Sequence, residues 1–177
     1  MRKKRITSEK LLGLLAILIS ISTLAVFIYQ TKLIREDQHK SVYPHLNIVH
    51  DKTGSSLYAF TLRNQGIGPA FIVDISIIDK EGKRFEKLDD YVDYRLKNTD
   101  TIAWLHSDLY IGQLIQEKEN IALIELKDKT EKEENIHFSK TLRNILSANQ
   151  FTFEIQYKSI YEEEWTMLNN SPLPRKK

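Results

Sequence analysis

From Leu11 to Tyr29 the chain runs LLGLLAILISISTLAVFIY, nineteen residues without a charge. At helical rise such a stretch spans roughly 28 Å, close to the hydrocarbon thickness of a bilayer. A helix is the single segment able to cross, because it satisfies its own backbone groups. Ser20, Ser22 and Thr23 are compatible with that setting, since hydroxyls bond back to the preceding turn. A buried core helix would show a polar face over this length, and none exists here. A cleaved signal peptide is the stronger rival. Its apolar region is usually about 7–15 residues and is followed by a small-residue cleavage site. Here the run is longer and ends in Phe27, Ile28 and Tyr29. The pattern predicts an uncleaved transmembrane helix over 11–29, with Tyr29 at the level of an aromatic belt.

The flanks set an expected direction. Arg2, Lys3, Lys4, Arg5 and Lys10 precede the span; Lys32, Arg35 and Lys40 follow it, mixed with Glu36 and Asp37. The positive-inside rule then puts residues 1–10 in the cytoplasm as a basic flank, and the rest of the chain outside. Residues 30–42 continue in helical style as a juxtamembrane stalk, which Pro44 ends by disfavouring helix at the residue before it.

Beyond Pro44 the period changes from helical to two. Leu46, Ile48 and His50 alternate with Asn47, Val49 and Asp51 as a first strand. Tyr58, Phe60 and Leu62 form one face of a second, with Ala59, Thr61 and Arg63 on the other. Phe71, Val73, Ile75 and Ile77 form one face of a third. Phe85, Leu88, Val92 and Leu96 fall near helical spacing, so a short helix is expected there. Ile102 to Ile115 suggests one or two short strands, IALIELK another, Lys127 to Asn135 a charged loop, and Ile136 to Ala148 a second short helix. Phe151, Phe153, Ile155 and Tyr157 open a terminal hairpin whose return strand holds Trp165 and Met167. Alternating strands imply antiparallel sheet. The expected fold is mainly β, an antiparallel sandwich-like domain over 43–170 with one or two short helices, followed by a disordered tail over 171–177.

Composition changes the picture in two places. The chain has 177 residues and a formal net charge of +2. Its first ten residues hold five basic and one acidic side chain, which is +4, so the remainder carries −2. The basic balance therefore belongs to the membrane flank, and no nucleic-acid footprint is expected on the domain. The absence of cysteine excludes disulfides and thiolate zinc sites.

At Leu62-Arg63-Asn64-Gln65-Gly66-Ile67-Gly68-Pro69-Ala70 the sequence resembles bacterial immunoglobulin-like surface domains of the cell-adhesion-related type. It is also similar to a loose group of uncharacterised bacterial single-pass membrane proteins. Those share a proline-led first strand, here Tyr43-Pro44-His45-Leu46, and a terminal hairpin like Ile155 to Tyr161 followed by an aromatic, here Trp165. The likeness covers residues 41–168 in outline. It implies an Ig-like β-sandwich anchored in a cell membrane, with Asn64, Gly66, Gly68 and Pro69 as a structural turn. Read from the residues alone, the two glycines allow positive φ, Pro69 fixes the exit, and the Asn64 side chain bonds back to the turn. A phosphate cradle does not fit, because phosphate loops lead from strand to helix and this one joins two strands.

Candidate chemistry is sparse. His39, His45, His50, His106 and His137 include no helical i, i+4 pair. His106-Ser107-Asp108 would enter a site only if the fold brought a third ligand near. Asp89 and Asp90, and Glu162 to Glu164, read as solvated carboxylates. No catalytic, cofactor or metal residue is assigned, and the chain is not expected to be an enzyme. Tyr161 and Trp165, near the hairpin end, are the candidates for partner contact, since such residues dominate binding hot spots. The expected role is a non-catalytic interaction or accessory module of the bacterial envelope with an unidentified protein partner. Self-association through the anchor stays open. The alternatives are a membrane-associated stress or defence effector with its domain in the cytoplasm, and a hydrolase or ligand-binding domain with a site in the 80–150 region.

Overall fold

The computed structural model describes residues 8–96, 103–128 and 130–177. The basic flank at Arg2 to Arg5, the start of the stretch at Ile102 and Lys129 of the charged loop lie outside them. The chain divides into two compact units, Met1–Ser41 and Val42–Lys177.

The described part of the first unit holds one helix, α1 (Ser8–Lys40), which merges the expected span and stalk. It is long and apolar enough to cross a membrane, and none of its apolar stretch is buried in protein; a signal sequence near an N-terminus meets the same test. Three of its hydroxyls bond back to the preceding turn: Ser20 Oγ donates to Ala16 O at 2.9 Å, Thr23 Oγ1 to Ile19 O at 2.8 Å and Thr31 Oγ1 to Phe27 O at 2.8 Å.

The second unit is built on two antiparallel sheets. In chain order the elements are β1 (Leu46–Asp51), β2 (Ala59–Asn64), β3 (Ala70–Asp79), β4 (Arg84–Phe85), α2 (Leu88–Leu96), β5 (Trp104–His106), β6 (Leu114–Ile115), β7 (Asn120–Leu126), α3 (Glu133–Ile145), β8 (Phe151–Lys158), β9 (Glu164–Leu168) and β10 (Arg175–Lys176). One sheet has the order β1-β2-β7-β5; the other has the order β10-β9-β8-β3-β4, with β6 also on β3. Both sheets feed one core. Phe60 of β2 lies 6.3 Å, ring centre to ring centre, from both Phe151 and Phe153 of β8. The Tyr157 hydroxyl of β8 is 3.4 Å from the backbone N of Leu46 and from the carbonyl of Pro44. The helices close the core: Tyr91 of α2 stacks on Phe151 at 4.6 Å, and Phe138 and Leu142 of α3 are buried.

The period-two faces of β2 and β8 form as expected, with Tyr58, Phe60, Leu62, Phe151, Phe153, Ile155 and Tyr157 all buried. On β3 the expected face is broken. A bulge at Val73 shifts the register against β8 between Ile72 and Asp74. An extra residue reverses the in-out phase of everything on one side of it. Ala70 and Ile72 therefore point into the core before the bulge, and Ile77 after it, while Phe71 turns away. The first helix begins at Leu88, because Arg84 and Phe85 pair with Ile78 and Ile77 as a strand. The second starts at Glu133, inside the expected charged loop. The tail expected to be disordered carries a strand: Arg175 pairs with Thr166 and Lys176 with Trp165.

Candidate functional site

Two arrangements in the second unit bring sequence-flagged residues together. The first is the turn at 64–69. The segment ahead of β1 runs alongside it, with Ile67 N–H donating to Tyr43 O at 3.0 Å and Gln65 N–H to His45 O at 2.8 Å. Asn64 is buried at the centre. Its Oδ1 accepts from the N–H of His45 at 3.1 Å and of Gly66 at 3.0 Å. Its Nδ2 faces the carbonyls of Gly68 at 2.8 Å, Gln116 at 3.1 Å and Ile115 at 3.3 Å. One amide thus ties the lead-in segment, the turn and β6. The glycines have a different role from the expected one. Positive φ occurs at Gly54, Gly82 and Gly112, and not at Gly66 or Gly68. Those two are small because backbone passes directly over them. A Cβ on Gly66 would lie 2.3 Å from Tyr43 O, and one on Gly68 would lie 1.9 Å from Val42 O. The turn is a clasp on the Val42–His45 segment.

The second arrangement lies where the first turn of α2 meets the end of β5. α2 is fixed by the Tyr91 stack and by the Tyr91 hydroxyl, which donates to Ile145 O at 2.9 Å. Burial pushes that phenol up to about 12. β5 is fixed by its ladder to β7, with His106 opposite Ile124. Asp89 Oδ2 then faces His106 Nε2 at 3.4 Å. Asp108 follows two residues on and accepts from Lys87 Nζ at 2.7 Å. That bond, with the charge of Asp108, holds the Lys87 ammonium above its ordinary range. One donor atom each from Asp89, His106 and Asp108 lies within 4.8 Å of the others. A cavity of about 30 Å³ adjoins, lined by Lys87, Ser107 and Asp108 with Ile77, Leu123 and Phe153 of the core. It admits about one water and is far below the ~300–1,000 Å³ of small-molecule sites.

His106-Ser107-Asp108 and Asp89 were visible in the sequence as separate groups. Their juxtaposition was not, because it depends on β5 returning along β7 beside α2. Lys87 carried no signal beyond being one lysine among many.

The hairpin aromatics part company. Trp165 packs edge-on against Tyr43 at 4.6 Å, with Lys176 Nζ 5.3 Å from its ring centre. Tyr161 stays on the exposed connection, where its N–H donates to Ser159 Oγ at 3.1 Å. The carboxylates beside it have lysine partners: Glu162 faces Lys158 at 2.6 Å and Glu163 faces Lys176 at 2.7 Å.

His50 forms a further polar contact, its Nδ1 2.9 Å from the Tyr58 hydroxyl. Burial, reinforced by the Arg143 charge, lowers the His50 pKa, and burial raises that of Tyr58. Folding therefore favours the neutral imidazole beside a phenol that keeps its proton. A histidine depressed on folding takes up its proton more readily when unfolded. Its stabilisation is complete above the unfolded value of about 6.5 and drains away as the pH falls below it. Urea unfolding at pH 7.5 and 5.5 is expected to show lower stability at pH 5.5, and His50→Gln is expected to reduce that difference. An unchanged difference in the variant would assign the acid sensitivity elsewhere.

Comparison with known proteins finds no family model, no curated protein and no solved structure that matches this chain.

Proposed function

We propose that this chain is a membrane-tethered, non-catalytic interaction module of the bacterial envelope. In this reading α1 crosses the inner membrane once, N-terminus in the cytoplasm, and the Val42–Lys177 unit works outside as an Ig-like β-sandwich. The observation that carries it is α1, a single unbroken helix with an uncharged, unburied apolar stretch, followed directly by a unit with its own filled core. The excess of basic residues ahead of the span supports the direction. Two antiparallel sheets sharing one core support the sandwich. Tethering raises the local concentration of the module for a protein partner in the same membrane, and Tyr161 on its exposed connection is the residue to test for that contact.

The test is topology in the intact bacterial cell. A periplasm-active and a cytoplasm-active reporter are fused in turn after Lys177, and membranes are extracted at alkaline pH. Activity of the periplasmic reporter alone, on a chain that resists extraction and keeps its first thirty residues, is the expected result. Activity of the cytoplasmic reporter alone would reverse the orientation and favour the effector alternative. Loss of the first ~29 residues from the mature chain would make α1 a signal sequence.

A further inference from the structure

We propose that Asp89, His106 and Asp108 bind a first-row transition-metal dication, with Lys87 as a built-in competitor for the same carboxylate. The corner goes beyond an accumulation of surface acids. It joins an imidazole nitrogen to two carboxylate oxygens, a mixed set that suits zinc or manganese better than the all-oxygen sites of calcium and magnesium.

Geometry supports the grouping. The three donor atoms lie within 4.8 Å of one another. Donors held tetrahedrally at about 2.0–2.2 Å from one ion lie roughly 3.3–3.6 Å apart. Closing the triangle therefore takes a side-chain adjustment of up to roughly 1.5 Å. The side chains have that freedom, with relative exposures of 20% for Asp89, 43% for His106 and 42% for Asp108. The backbones of Asp89 and His106 do not, since α2 is pinned by Tyr91 and β5 by its ladder to β7. Asp89 is already oriented, its Oδ1 accepting from the Asp90 N–H at 3.0 Å while Oδ2 points at His106.

Charge points the same way. Two carboxylates and a neutral imidazole carry −2, which a dication matches and the Lys87 ammonium half offsets. Lys87 Nζ sits on Asp108 Oδ2 at 2.7 Å, so a metal reaching that oxygen displaces it. Three protein ligands leave at least one position for water.

The experiment titrates the full chain in detergent micelles with Zn²⁺ against a chromophoric chelator, then repeats the titration with Mg²⁺ and Ca²⁺. One saturable Zn²⁺ equivalent is expected. His106→Ala and Asp89→Asn each weaken it at least tenfold, and His137→Ala, at another histidine, leaves it unchanged. Lys87→Met tightens it several-fold, because the competitor is gone. Circular dichroism verifies that each variant is folded, and thermal melts provide a second readout: Zn²⁺ raises the midpoint of the parent chain and not that of His106→Ala. Absence of a saturable equivalent, unchanged affinity in His106→Ala, or equal affinity for Mg²⁺ would overturn the site. Weaker binding in Lys87→Met would overturn the competitor role.

Discussion

Gly68→Ala is expected to destabilise the Val42–Lys177 unit by about 3 kcal/mol or more, at the upper end for a single substitution. The added Cβ would stand 1.9 Å from the carbonyl oxygen of Val42 and 2.5 Å from its carbon. Both are backbone atoms, so no rotamer change relieves the clash, and the segment has to lift off the turn. Lifting it breaks the N–H···O bonds from Ile67 and Gly68 to Tyr43 and from Gln65 to His45. It also pulls Tyr43 from the edge of Trp165. Gly66→Ala meets Tyr43 O and His45 N at 2.3 and 2.4 Å and should behave alike. Gly82→Ala is the control. Its φ of +88° carries a conformational cost of about 1–2 kcal/mol for an L side chain, but no neighbour lies within 4 Å. Urea unfolding of the full chain in detergent, followed by tryptophan fluorescence, gives the ranking. A Gly68→Ala loss no larger than that of Gly82→Ala would mean that the clasp yields easily and carries little of the fold.

Asn64→Ala should cost roughly 2–4 kcal/mol by a different route. The space it leaves is small, but its two amide atoms serve five backbone groups on three segments. Removing them leaves buried donors at His45 and Gly66 and carbonyls at Gly68, Ile115 and Gln116 short of partners. Asn64→Asp keeps the shape and the acceptor but turns a carboxylate oxygen toward those three carbonyls. It is expected to be at least as damaging at pH 7 and to recover in part toward pH 4, where the carboxyl protonates. Asn64→Ala and Gly68→Ala act on one segment, so their combined loss should fall short of the sum. Full additivity would show that the amide and the glycine stabilise separate parts of the domain.

How much of this could be read in advance depended on how local the cause was. The long apolar helix was legible because a lack of charge over nineteen residues is a property of the segment itself. The faces of β2 and β8 were legible because each strand is uninterrupted over its buried positions. The face of β3 was not, since its phase turns on a bulge at Val73 defined only against β8. The clasp was half legible. Asn64, Gly66, Gly68 and Pro69 stood out as a turn, but what makes the glycines necessary is backbone of Val42 and Tyr43, about two dozen positions earlier. The Asp89–His106–Asp108 corner is a product of topology, with no periodicity to announce it. β10 was missed because two basic residues near a terminus look like solvated tail until a partner strand is placed beside them.

The ladder between β3 and β8 pairs Phe71 with Lys158 and Asp79 with Phe151, and it is the central pairing of its sheet. Its consequence is one of timing. β3 is synthesised early and β8 near the end, so the apolar run from Phe71 to Ile78 waits for most of the domain to be made. Closing so long a loop comes before any reward from the contacts it permits, which makes such folds slow to form. The terminal hairpin is then the keystone of assembly. A nascent chain halted before Phe151 would hold β1 and β2 but lack the strand that Ile72 and Ile77 pack beside, leaving that surface open to chaperones or to neighbouring chains.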